Sequence, residues 1–261
     1  MTAMKTFRSL VMLAGVAALA ACDKNAVQID SITAPVSGAR VKFHNFGLNA
    51  PGVNFYAGAT KVTAISSTTG IESTNGVAYG AVAAGNLYMA LPAGQVTIAS
   101  KIAAATDKDL TISTVPATFV DGKAYSVFLS GFYDATAKQV EGFVVEDAFP
   151  SIFDFTQALV RFVNASPNSA PMQLFARNTT TALESPVGNI IAYKTGGTFV
   201  GVPSGAYDLF TRTADSGVNA ISRTAVSFLA GRVYTVSARG DMTIVSTTAV
   251  TRPFLDNSVN R

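Results

Sequence analysis

Tryptophan is missing from this chain, and cysteine and histidine each occur once in 261 residues. One thiol and one imidazole leave most metal and nucleophile chemistry without its residues. Charge is scarce as well: Asp, Glu, Lys and Arg make up 13%, about half the ~25% usual in soluble domains. Low charge beside 49% apolar residues excludes a disordered chain. The shortage of Glu, Lys and Arg excludes a coiled coil. What is present is 21 Gly and 10 Pro among many Thr, Ser, Val and Ala, the residues of short strands and tight turns.

The first 22 residues read as an export signal. Lys5 and Arg8 precede the uncharged run Leu10 to Ala21. A spanning helix needs ~20 apolar residues, so this run has the length of a signal-peptide core instead. It ends Leu19-Ala20-Ala21-Cys22, which resembles the bacterial lipobox. Small residues admit the peptidase, and the thiol is the side chain that can carry a thioether-linked diacylglyceryl group. Cleavage then leaves residues 1–21 as the leader and Cys22 as the lipidated N-terminus. The alternative is an ordinary signal peptide with a chance cysteine. The position of the sole cysteine, directly after the apolar run, favours the lipobox. Two or more acyl chains hold stably at ~0.8 kcal/mol per buried CH₂. Asp23 is a residue that retains lipoproteins at the inner membrane in some lineages, which leaves the leaflet open. Loss of Lys5 and Arg8 leaves 17 basic against 16 acidic residues, a net +1, so no nucleic-acid surface is expected.

Residues 22–37 read as a polar tether of only ~20 Å root-mean-square reach. From Ala39 onward short β-prone runs alternate with turn residues: Val53–Tyr56, Leu87–Leu91, Val96–Ile102, Leu110–Val115, Tyr125–Leu129 and Phe143–Val145. Asn75-Gly76, Pro92-Ala93-Gly94 and Asp121-Gly122 separate them. No window has a sustained 3.6-residue period, so the expectation is an all-β fold.

The pattern repeats. Val41-Lys42-Phe43-His44-Asn45 returns as Val160-Arg161-Phe162-Val163-Asn164, and Leu91-Pro92-Ala93-Gly94 returns as Val202-Pro203-Ser204-Gly205. Asp121-Gly122-Lys123-Ala124-Tyr125-Ser126-Val127 returns as Ala230-Gly231-Arg232-Val233-Tyr234-Thr235-Val236. The order is kept while the offset drifts from 119 to 109 residues, as loop deletions produce. Two tandem immunoglobulin-like β-sandwich domains are expected, over 38–148 and 157–261, each with a core of about 100–110 residues. Tyr125 and Tyr234 either anchor a corner through a hydroxyl-to-backbone bond, as tyrosine corners do, or are half-buried aromatics. The connector 149–156 carries Phe149, Phe153 and Phe155. Three rings in so short a stretch predict that it packs, fixing the interdomain angle; the alternative is a functional apolar patch.

These elements resemble a bacterial domain family of unknown function, DUF4397. Its members open with an Arg-x-Arg-Phe-Val-like strand and a His-Ala-Ser-Pro-like turn, followed by Leu-Pro-Ala-Gly and Ala-Gly-x-x-Tyr-Thr-Val. The second copy carries Val160 to Pro167, Val202 to Gly205 and Ala230 to Val236 in those places; the first departs at His44-Asn45-Phe46-Gly47. Asn45 and Asn164 stand where the family often has His. The resemblance covers nearly all of 39–256 and implies a tandem sandwich, secreted or anchored, with no reaction attached.

Residue by residue, the candidates for chemistry read as structural. His44 falls on the face opposite Val41 and Phe43, and solvent is its expected environment. Glu141, Glu146, Asp147 and Asp154 lack a calcium-loop pattern, as do Asp107 and Asp109. No Gly-x-Ser-x-Gly elbow occurs. The Gly80–Gly85 stretch is followed by Asn86 rather than Lys, which excludes a phosphate loop. Tyr56, Tyr79, Tyr88, Tyr133, Tyr193 and Tyr207 would serve a carbohydrate platform only if exposed together; core or rim is the expected place. No catalytic, cofactor or metal residue is assigned, and no cofactor is expected. The expectation is a non-enzymatic lipoprotein of the bacterial cell envelope, held to a membrane through Cys22, with a protein or glycan partner. The alternative is a glycan-binding or hydrolytic module with its site in sandwich-end loops or at the domain junction.

Overall fold

Val41 and Phe43 point to one side of the first strand, Lys42 and His44 to the other, and all four are buried. A strand of one isolated sandwich would show one of these faces to water. The second repeat covers that face. The structure, a computed structural model, describes residues 37–63 and 74–261. The expected leader, Cys22 and the expected tether up to residue 36 lie outside the described residues.

The first repeat contains β1 (Ala39–Leu48), β2 (Val53–Ala57), β3 (Thr60–Lys61), β4 (Ala81–Val82), β5 (Met89–Leu91), β6 (Gly94–Ile102), β7 (Thr111–Phe119), β8 (Ala124–Phe132) and β9 (Gly142–Glu146). One sheet runs β4-β1-β8-β9 with β5 also on β1; the other runs β3-β2-β6-β7. The second repeat contains β10 (Gln157–Asn164), β11 (Met172–Asn178), β12 (Glu184–Ile191), β13 (Thr195–Gly196), β14 (Val200–Pro203), β15 (Gly205–Thr213), β16 (Ile221–Phe228), β17 (Val233–Arg239) and β18 (Phe254–Val259). Its sheets are β13-β10-β17-β18, with β14 on β10, and β12-β11-β15-β16. The two topologies are identical strand for strand, so the chain is all-β with two immunoglobulin-like sandwiches. Among the described residues the helical exception is one 3₁₀ turn, Ala83–Asn86. None of their helices is long and apolar enough to cross a membrane.

In each repeat the first strand lies parallel to the eighth, Val41 beside Tyr125 and Val160 beside Tyr234. Both tyrosines form corners. The Tyr125 hydroxyl accepts the Val120 N–H at 3.2 Å and the Tyr234 hydroxyl the Leu229 N–H at 3.1 Å. Gly122 and Gly231, at φ 75° and 73°, supply the left-handed step that brings the chain back onto its own tyrosine.

Each sandwich has its own core. Phe43, Phe55, Ile98, Phe119 and Val127 fill the first, and Phe162, Leu174, Leu209, Phe228 and Val236 the second. A third cluster joins Phe46, Phe128 and Phe143 of the first repeat to Val163 and Ala165 of the second. The sheets containing β1 and β10 therefore face each other across a seam. Phe46 and Phe128 are at most 1% exposed there, each contributing on the order of 1.5–3 kcal/mol by burial. The expectation of a solvent-facing His44 is thus corrected: it is 1% exposed, because its side of β1 is the seam.

The connector packs only in part. Phe149 lies 5.3 Å from the Phe199 ring and 6.4 Å from Tyr88. Phe155 is 72% and Ile152 87% exposed, and the Phe153 and Phe155 rings lie tilted against each other at 4.8 Å. Fixing the repeats together falls to the seam, with Phe149 at its edge.

Candidate functional site

The register of the paired strands defines a pseudo-twofold relation across the seam. Lys42 lies beside Ser126 as Arg161 lies beside Thr235. Tyr125 pairs with Glu146 as Tyr234 pairs with Val259. Glu146 thus corresponds to Val259, and Asp147 to Asn260. Each first-strand cation reaches across to the end of the other repeat's last strand. Arg161 donates to the Glu146 carbonyl at 2.9 Å and forms an ion pair with Asp147. Lys42 donates to the Val259 carbonyl at 2.7 Å and to Asn260 Oδ1 at 3.3 Å. Ser126 donates to Asp147 at 2.9 Å, and Asn260 donates to Thr235 Oγ1 at 2.7 Å. Arg161 also lies 4.8 Å over the Phe199 ring and Lys42 4.6 Å over Tyr88. Those rings precede the equivalent strands β14 and β5. Burial of charge is tolerable only where partners surround it, and both cations have them.

The two exchanges differ in charge. Arg161 and Asp147 form a buried ion pair, whereas Lys42 meets a neutral amide. Burial, with Asp147 opposing and Arg161 adding, pulls the Lys42 ammonium down to about 8. Arginine could not adapt in this way, because its guanidinium does not deprotonate in proteins. Tyr88 donates to the same carboxylate, and its phenol is raised above the ordinary value, chiefly by burial.

The seam is also unequal in filling. Across the first repeat, His44, Phe128 and Phe143 sit side by side on β1, β8 and β9. Their counterparts are Val163, Ser237 and Asp256. In one half of the seam Val163 packs with Phe128 and Phe143. In the other, His44 meets Ser237 and Asp256 around a cavity of about 300 Å³. His44 stacks on Phe128 at 4.4 Å and 17°. Among the described residues neither imidazole nitrogen has a hydrogen-bond partner, and neither has the Ser237 hydroxyl. Burial first, then Lys42 and Arg161, hold the imidazole well below its usual 6.5, so it is neutral at physiological pH. Asp256 is raised above the ordinary carboxylate value by burial, against the pull of Arg239, with which it is paired.

The acids named from sequence do not gather. Asp147 is in the seam, Glu141 pairs with Lys194 at 2.9 Å, and Glu146 pairs with Lys123 at 2.9 Å. Asp154 caps its own turn through Thr156 at 2.9 Å. Asp107 takes Lys138, and Asp109 accepts the Tyr56 hydroxyl at 3.1 Å. Among the described residues no group of three or more His, Cys, Asp or Glu could hold a metal ion. None of the six tyrosines proposed for a platform is fully exposed; Tyr56 and Tyr207 are buried. The seam residues Lys42, Arg161, Ser237 and Asp256 escape sequence reasoning as a group. The available signal is that Phe46 shares the alternating face of Lys42 and His44, and Phe128 that of Ser126, which a solvated face would not carry.

The family model described as "Domain of unknown function (DUF4397)" matches residues 39–175 and 158–260. No curated protein is similar to the chain in sequence. Among solved structures, a Bacteroides ovatus protein provisionally described as a cell adhesion protein aligns at 8% identity with a TM-score of 0.27, covering 87% of this chain and 98% of its own.

Proposed function

The chain belongs to the DUF4397 family, and from that premise we propose that it is a membrane-anchored lipoprotein of the bacterial cell envelope with a binding or structural role rather than a catalytic one. The observation that carries the anchoring is Leu19-Ala20-Ala21-Cys22 directly behind a twelve-residue apolar run, in a chain with no other cysteine. A single thiol in that position suits a lipid acceptor, and the chain offers it no second cysteine for an internal disulfide. Residues 38–261 behind it form one unit. The non-catalytic part of the reading is supported by the seam: Arg161 is taken up by Asp147 and Lys42 by carbonyl and amide oxygens, and His44 is hydrogen-bonded to neither a nucleophile nor an acid among the described residues.

Replacing Cys22 with Ala tests the anchor. In cells fed an alkyne fatty acid, the wild-type chain should take up label and fractionate with membranes. Cys22→Ala should lose the label and move to the soluble fraction. A variant that stays membrane-bound, or a wild-type chain that takes up no label, would contradict the assignment.

A further inference from the structure

We propose that the seam cavity beside His44 is a binding site for a neutral, hydroxyl-rich small molecule of about monosaccharide size. The pseudo-twofold relation gives the site its own internal control. The same framework positions carry Val163, Phe128 and Phe143 in one half and His44, Ser237 and Asp256 in the other. The apolar set closes its half. The polar set surrounds about 300 Å³, the lower end of the ~300–1,000 Å³ range of small-molecule sites.

The chemistry of the wall selects the ligand class. A neutral imidazole offers one donor and one acceptor, and a serine hydroxyl offers one of each. His44 and Ser237 are both 1% exposed, and their polar atoms lack partners among the described residues. A buried group left unmade is costly, so a guest whose entry turns these atoms toward it, and which supplies both a donor and an acceptor, gains from them. Among the described residues no free charge lines the cavity. Asp256 is engaged by Arg239. The Lys42 ammonium is directed at Asn86 Oδ1, the Val259 carbonyl and Asn260 Oδ1. An ionic guest would find no unpaired counter-charge. Phe46 and the Phe128-stacked imidazole give an apolar side for the C–H face of a ring. Gly85, exposed and with open space where a Cβ would stand, leaves the mouth clear.

This inference stands apart from lipid anchoring, since it needs neither Cys22 nor a membrane. His44 is the only histidine, so its ring resonances report the site without ambiguity. The mature chain, labelled with ¹⁵N-histidine, would be titrated with D-glucose, D-galactose and myo-inositol, and with sodium acetate and phosphate as charged controls. At least one neutral probe should shift the His44 ring signals saturably, with the charged controls at least roughly tenfold weaker. Ser237→Phe, which copies the residue at the equivalent Phe128, should abolish the shift. Should that variant not fold, Ser237→Ala keeps the cavity and should weaken the same probe by about fivefold, the worth of one hydrogen bond. Absence of saturation by all three neutral probes overturns the proposal. So does equal response to the anions, unchanged binding in the Ser237 variants, or ordered water alone in crystals grown with the probe.

Discussion

Replacing Asp147 with Ala is expected to lower the free energy of unfolding by about 3–5 kcal/mol, the usual effect of stranding one member of a buried ion pair. The Asp147 and Arg161 side chains are at most 1% exposed. Asp147 also accepts from Ser126 at 2.9 Å and from Tyr88. Among the described residues its removal leaves the guanidinium with only the Glu146 carbonyl and Thr235 Oγ1 as hydrogen-bond acceptors. The charge cannot be discarded by deprotonation. Asp147→Asn should therefore also be costly, even though Asn is what the equivalent position 260 carries naturally. Urea denaturation at neutral pH measures both. A loss under ~1 kcal/mol for Asp147→Ala would mean that the pair does not tie the repeats together.

The opposite exchange should show itself in pH dependence. The Lys42 ammonium lies near 8 in the folded chain against an ordinary 10.5. Between those values the unfolded chain binds the additional proton, so stability should rise with pH from about 8, at up to ~1.4 kcal/mol per pH unit. Below 8 both states are protonated and the full penalty of the buried charge is present. The buried phenols of Tyr79, Tyr88 and Tyr193 are raised above their ordinary 10. They oppose the trend only above pH 10, so the clean window is about 8 to 10. Asn260→Asp would give Lys42 the carboxylate that Arg161 already has. It should lift the ammonium back toward 10.5 and flatten the rise. Chemical denaturation across pH 7–10 for wild type and variant measures the difference; a flat wild-type profile would show that Lys42 keeps its proton in the seam.

The repeat was legible because it is written in residues with local consequences. Gly122 and Gly231 permit turns, Tyr125 and Tyr234 three residues further on bond back to Val120 and Leu229, and Val41, Phe43, Val160 and Phe162 alternate as strands must. These features survive drift in loop length, and the sandwiches follow from them. The seam was not legible. Alternation says which residues share a face, not what covers that face. Lys42 and His44 look solvated in one dimension, since burying a cation becomes tolerable only when Val259 and Asn260, more than 200 positions away, supply its partners. The same distance in sequence hid the cavity: His44 and Ser237 meet only because one sheet lies on the other. The aromatic connector misled in part. Of its three rings only Phe149 reaches the junction, because the chain leaves Glu146 at the seam and must pass outside before re-entering at Gln157.

Scanning calorimetry of the purified chain tests most directly whether the reciprocal cations make two sandwiches into one body. If the seam couples them, both repeats unfold in a single transition whose calorimetric and van't Hoff enthalpies agree. Two resolved transitions, each accounting for about half of the heat, would show that the repeats are independent neighbours and that the seam holds nothing together.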